Sequence, residues 1–203
     1  LPQAGSVRYS EFGRHIACHP LEQMLACLNF CADGVLEKFP KLKVAHLESG
    51  CGWVPFWLER MDEHWEHESH GSAKITKEKP STYFKRNCWV SCEAGEELAP
   101  VFVEHVGDDY LMIATDYPHS DSMWPSAPEQ LDEVLKANNV PDDEINKMTY
   151  ENAMRWYHFD PFTHIPKDQA TIGALRKAAE GHDVSIQALS KHDHGGASFA
   201  DFA

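Results

Sequence analysis

The sequence predicts an α/β fold with parallel strands. Three short apolar segments, residues 42–47 (LKVAHL), 87–93 (NCWVSCE) and 110–116 (YLMIATD), each lead into a stretch with helical periodicity. The intervals between them are long enough for the crossover that parallel pairing demands, whereas a hairpin needs only a few residues. Composition agrees with a packed domain: 42% hydrophobic and 25% charged residues over 203 positions. A chain of this mass buries about 70% of its unfolded surface. No apolar run approaches the 18 or more residues that span a bilayer, so no membrane partner is expected.

The elements follow in order. Over residues 21–39, Leu21, Met24, Leu25, Leu28, Val35, Leu36 and Phe39 recur at helical spacing, with Pro20 suited to a first turn and Pro40 ending the run. The first strand segment is bounded by Pro40 and the Gly-containing SGCG. Residues 54–66 predict a helix whose apolar face carries Trp53, Phe56, Trp57 and Trp65, followed by a polar surface loop, EHESHGSAKITKEKPS. After the second strand come a helix over 96–106 and the third strand. A loop with Pro118, Pro125 and Pro128 then leads to a helix over 129–137 and a last helical pair over 142–156. From Phe159 the periodicity weakens and KHDHGGASFADFA reads as a loose tail, so residues 1–160 form the domain and 161–203 an extension. Three strands cannot close a barrel, and an open parallel sheet of this size exposes its edges. Further strands are expected from a preceding segment or from another chain.

Charge and cysteine usage narrow the partners. Eighteen Lys and Arg against 32 Asp and Glu give −14, a balance that repels phosphate backbones, so no nucleic-acid partner is expected. The 13 histidines are scattered, and no basic segment with an apolar run after it follows Leu1. Cys18, Cys27, Cys31, Cys51, Cys88 and Cys92 lie in apolar segments without C-x-x-C spacing. They predict reduced thiols, mostly packed as small hydrophobes, and a cytoplasmic setting.

In α/β folds, ligands meet the carboxyl ends of the strands and the loops after them. Those positions read HLESGCGW, CEAGEE and TDYPHSDS, so each carries a carboxylate: Glu48, Glu93 and Asp116. Asp116 ends an apolar run, where a carboxylate is costly to bury unless it is paired or binds a cation; a loop cap is the alternative. Glu48 precedes a Gly-containing turn that lets a substrate approach the backbone, with an ion pair as its alternative. Glu93 either faces a ligand or opens an acidic turn with Glu96 and Glu97. Strict alternation points His46 the same way as Glu48, as a core imidazole or a catalytic one. His119 follows Asp116, and His19 precedes Pro20. His64, His67, His70, His192 and His194 read as solvated. No G-x-G-x-x-G, P-loop, H-E-x-x-H or G-x-S-x-G pattern occurs.

Over residues 19–159 these pieces resemble a known family. HPLEQMLACLNFCADGVLEKFPKLKVAHLESGCGWVPFWLERMDEHW, YFKRNCWVSCE, YLMIATDYPHSD and MTYENAMRWYHF are similar, in that order and spacing, to the amidohydrolase-related metal-dependent hydrolases and decarboxylases. That family includes the aminocarboxymuconate-semialdehyde and resorcylate-type decarboxylases. The resemblance implies a (β/α)8 TIM barrel of which this chain covers about strands six to eight. It implies a divalent metal, zinc first and manganese second, with Asp116 as the strand-eight ligand and the other ligands on earlier strands. Where the decarboxylases carry an acid/base histidine after strand six, this chain has Glu48, and His46 matches an aromatic position. The implied activity is hydrolysis or decarboxylation of a small carboxylated or aromatic substrate. Asp116 and Glu48 would be catalytic, with His119, Glu93, His19 and Trp53 at the substrate and Trp124 adding to an apolar wall. A homo-oligomer is compatible with this reading. The alternative is a noncatalytic barrel remnant that binds a partner through its strand edges.

Overall fold

The computed structural model describes residues 10–67, 75–117, 119, 122, 123 and 125–182. In chain order it forms α1 (Glu11–Cys31), α2 (Val35–Lys38), β1 (Val44–His46), α3 (Trp53–His67), α4 (Pro80–Asn87), β2 (Cys88–Glu93), α5 (Ala99–His105), β3 (Leu111–Ala114), α6 (Ala127–Ala137), α7 (Asp142–Asn146), α8 (Asn152–Tyr157) and α9 (Ile172–Ala178). The strands lie side by side in the order β1-β2-β3, all parallel. Val44 pairs with Cys88 and His46 with Val90, while Val90 pairs with Leu111 and Cys92 with Ile113. The expected alternation therefore forms, with strands shorter than their apolar segments.

The leading helix differs from its expected bounds. It begins at Glu11, where the Ser10 hydroxyl accepts the Gly13 N–H at 3.1 Å. Pro20 lies inside the helix rather than in its first turn, so the Ile16 carbonyl goes without the N–H it would otherwise accept. Hydrophobic periodicity misses these turns because they bury no face: Phe12 is 78% and Ile16 59% exposed. The helix stops at Cys31, and Gly34 at φ 83° redirects the chain into α2. A Cβ there would lie 2.9 Å from the Ile75 side chain, so a larger residue would be strained in its backbone and would push Ile75 aside.

α4 replaces the end of the expected polar loop. Pro80 occupies its first turn, and the Asp62 carboxylate accepts the Ser81 N–H at 2.9 Å and the Ser81 hydroxyl at 2.5 Å. Its apolar content is one adjacent pair, Tyr83 and Phe84, both fully buried. Eight residues with two neighbouring apolar positions present no period to read.

Register divides the sheet into two faces. Cys88, Val90 and Cys92 of β2, His46 of β1 and Leu111 of β3 are buried beneath the helices. α3 adds Val54, Leu58 and Met61, whereas Phe56, expected on its apolar face, is exposed. Each large apolar side chain buried in this layer contributes about 1.5–3 kcal/mol. All six cysteines are free thiols and all but Cys18 are buried. Cys31 shares hydrogen bonds with Cys27 and Cys88, tying α1 to the start of β2.

At the amino end of the sheet, the Trp89 and Trp156 rings lie 4.9 Å apart, with the Lys43 ammonium 5.7 Å from each. The Trp89 indole N–H donates to the Asp109 carbonyl at 3.0 Å. The expected last pair is α7 and α8 joined by one π-type turn, Lys147–Glu151. Asn152 at the start of α8 is buried, and its amide donates to the Asp108 and Leu111 carbonyls at 2.7 Å each. That pair of bonds holds the entry to β3 and gives the ENA asparagine its physical reason. Beyond it, Lys167 donates to the Tyr150 hydroxyl at 2.7 Å, and Arg176 of α9 pairs with Glu129 of α6. The tail that reads as loose lies outside the described residues, as do His70, His192, His194 and Trp124. No described helix is long and apolar enough to cross a membrane.

Candidate active site

Because the three strands are parallel, the loops that follow them leave from one rim. Glu48, Glu93, Glu96 and Asp116 line a single crevice there, with Ser91 and Cys92. Its volume of about 30 Å³ holds one water and no substrate. The structure thus brings together the three strand-end carboxylates.

Backbone geometry, more than strand regularity, aims them. Glu48 has φ 62° and Asp116 φ 57°, a left-handed conformation that L-residues other than Gly, Asn and Asp rarely adopt. At Glu48 this breaks the alternation of β1: His46 is 1% exposed, while Glu48 is exposed at the crevice, so the two do not point the same way. The Asp116 side chain is 19% exposed and accepts a hydrogen bond from Nδ1 of His119 at 3.0 Å. An ionised carboxylate only accepts, so the His119 proton on this bond is on Nδ1. The His119 N–H closes the turn by donating to the Asp116 carbonyl at 2.8 Å.

His46 belongs to the helix layer. Its Nδ1 is 2.8 Å from the Gln23 side-chain oxygen, its ring stacks on Phe84, and the Trp53 ring meets its edge at 5.7 Å. Nε2 is buried without a hydrogen-bond partner, and burial lowers the imidazole from 6.5 to about 4, so the ring is neutral at physiological pH. Trp53 is packed rather than open to the crevice, with its indole N–H donating to the Gly50 carbonyl at 2.9 Å. His19 is exposed on α1 beside His15 and does not line the crevice. Neither His19 nor Trp53 is therefore brought to the three carboxylates.

Glu96, which the sequence marks only as part of an acidic turn with Glu93 and Glu97, ties two loops together. Its carboxylate accepts the Cys51 N–H at 2.9 Å and the Glu93 N–H at 2.9 Å, joining the loop after β1 to the end of β2. The available signal is an acidic residue three positions after a strand-ending Glu in EAGE, a spacing that closes a turn. Below it, the Cys51 thiol is pushed well up by its hydrogen bond with Cys92 and then by burial, so it is no nucleophile.

Among the described residues, no group of three or more His, Cys, Asp or Glu is arranged so that it could hold a metal ion. Asp116 is a hard oxygen donor suited to one position on a divalent ion, and the rest of a metal centre is not assembled by these residues.

Comparison with known proteins places this geometry in a family. Residues 7–159 match the amidohydrolase family. The chain is 27% identical over 152 residues to the 2-amino-3-carboxymuconate-6-semialdehyde decarboxylase of Dictyostelium discoideum, an alignment covering 72% of this chain and 39% of that protein. The 5-carboxyvanillate decarboxylase of Sphingomonas paucimobilis superposes with a TM-score of 0.58 at 25% identity, over 79% of this chain and 46% of that one. The 5-carboxyvanillate decarboxylase of Novosphingobium aromaticivorans, solved with manganese and 4-hydroxy-3-methoxy-5-nitrobenzoic acid, gives 0.54 at 24% identity, over 69% and 40%. The chain thus spans less than half the length of each of these relatives. Its three-stranded parallel sheet and flanking helices are part of the TIM-barrel fold of these proteins. On the match over residues 7–159, the chain belongs to the amidohydrolase family.

Proposed function

We propose that this chain forms the sixth to eighth strand-helix units of a metal-dependent decarboxylase barrel acting on a small, planar, carboxylated substrate. The observation that carries the reading is the convergence of Glu48, Glu93 and Asp116 on one crevice at the carboxyl ends of three parallel strands. Decarboxylation is favoured over hydrolysis because the relatives above are decarboxylases. In this reading residues 1–160 belong to the barrel and 161–203 extend it.

Asp116 is the residue of this chain that would hold a divalent cation. The manganese bound by a solved relative favours that ion over zinc. Such a cation, when bound, polarises a substrate oxygen and draws charge from the reacting group. His119 orients the Asp116 carboxylate through the Nδ1 bond and keeps Nε2 for a substrate oxygen. As carbon dioxide leaves, the electron pair of the broken C–C bond stays on the substrate carbon, which then takes up a proton. Glu48 carries that proton between water and the carbon. Glu93 borders the substrate from β2. His19 and Trp53 do not line the crevice, so any contact they make with the substrate lies outside it.

The test is turnover of carboxylated phenols, followed by carbon dioxide release, alongside metal content. Asp116→Asn is expected to lower metal content and to lower turnover by about 100-fold or more, while leaving the melting temperature of the metal-free protein unchanged. Retained turnover removes Asp116 from the mechanism. Glu48→Gln is expected to lower kcat by a similar factor with metal content intact; equal loss of both makes Glu48 a ligand instead.

A further inference from the structure

The strand-end carboxylates do not do the same work. Glu48 and Asp116 reach the crevice from left-handed residues, but Glu96 reaches it with both oxygens already engaged by backbone. One oxygen takes the Cys51 N–H, three residues after Glu48, and the other takes the Glu93 N–H, both at 2.9 Å. The Glu96 N–H in turn donates to the Glu93 carbonyl at 3.2 Å. The geometry points to Glu96 as a positioning residue, whose carboxylate clamps the loop that carries Glu48 to the strand end that carries Glu93.

The sequence around the clamp is shaped to admit it. Gly50 has φ 65°, and a Cβ there would lie 3.0 Å from the nearer Glu96 oxygen, so the carboxylate occupies the space a side chain would take. Trp53 holds the same carbonyl-bearing residue from the other side, through its indole N–H on the Gly50 carbonyl. A chain that leaves β1 in a left-handed turn has no ladder hydrogen bond to fix its path, and the two charge-assisted bonds to Glu96 supply the missing constraint. Glutamate is the fitting residue because an ionised carboxylate accepts at both oxygens. Glutamine offers one acceptor and turns an amide donor toward the second N–H. Aspartate is shorter by one methylene and could not span both loops.

The kinetic part of this inference rests on the proposed decarboxylase reading; the structural part does not. The test combines amide hydrogen exchange with turnover on the same purified protein. Glu96→Ala is expected to speed exchange at the Cys51 and Glu93 amides by about tenfold or more and to leave those of Val90 and Leu111 unchanged. Glu96→Gln keeps one acceptor, so it is expected to free one of the two loops. Glu97→Gln, one residue on, is the control and changes neither. In turnover, Glu96→Ala is expected to lower kcat by about tenfold or more with KM within about twofold and metal content intact, because Glu48 is misplaced and the substrate is not. Unchanged exchange at Cys51 and Glu93 overturns the clamp, as does a rise that includes Val90 and Leu111, which marks a general loss of fold. Absence of turnover of carboxylated substrates by a barrel completed with its remaining strands defeats the decarboxylase reading alone, and the exchange result still decides the clamp.

Discussion

On β1, His46 is 1% exposed beneath Trp53 and Phe84, whereas Glu48, two residues on, stands exposed at the strand-end crevice. The two sites belong to regions held together by different means. Beneath the helices, regular strands deliver every second side chain into apolar packing, and a residue's neighbours follow from its register. At the rim the chain leaves regular conformation at Glu48, Gly50 and Asp116, and its path depends on side chains that bind backbone. Stability is therefore concentrated in the first region and the proposed chemistry in the second, so substitutions in the two should separate cleanly.

The largest expected effect lies in the helix layer. Phe84→Ala removes a fully buried ring from α4 and the surface on which His46 stacks, and is expected to lower unfolding free energy by about 3–5 kcal/mol in urea titration. A loss below about 1 kcal/mol would mean that this layer does not carry the fold.

An intermediate effect is tied to acid. The buried His46 titrates near 4 in the folded chain, below its ordinary 6.5, so the fold disfavours the charged ring. Above pH 6.5 the ring is neutral in both states and the contribution is absent. As pH falls from 6.5 toward 4, the unfolded chain takes up a proton that the folded chain refuses, and stability drops by roughly 3 kcal/mol before levelling off. His46→Phe, compared with the unmutated chain at pH 7 and pH 4.5, should lose that part of the acid sensitivity; an unchanged difference would show the imidazole is not held neutral.

The smallest effect is expected on the solvated side of α6. Lys136 and Asp132 pair at 2.8 Å with both side chains about half exposed, and Lys136→Ala should shift stability by less than about 0.5 kcal/mol. A larger change would contradict the assignment of stability to the buried layer.

The same division explains what could be read from sequence. The three strands and their parallel order were legible because Val44, Val90 and Leu111 lie in apolar runs separated by crossover lengths. The carboxylates Glu48, Glu93 and Asp116 were legible as strand-end residues, since a strand's carboxyl end is marked by where its apolar run stops. The direction of Glu48 was not, because one left-handed residue defeats alternation, and nothing in HLESG announces it. The sequence shows Glu96 only as part of an acidic turn, for a related reason: its role lies in two backbone N–H groups, which have no sequence identity. The early start of α1 and the whole of α4 escaped because Phe12 and Ile16 bury nothing and Tyr83 and Phe84 are adjacent.

The two tilted, closely packed indoles at the amino end of the sheet set a limit on trimming the polypeptide. Lys43, Trp89 and Trp156 come from three distant stretches yet form one joint. A deletion series advancing from the C-terminal side should pass harmlessly down to Tyr157 and meet an abrupt step at Trp156, where removal uncovers one face of the Trp89 ring and leaves Lys43 with half its aromatic seat.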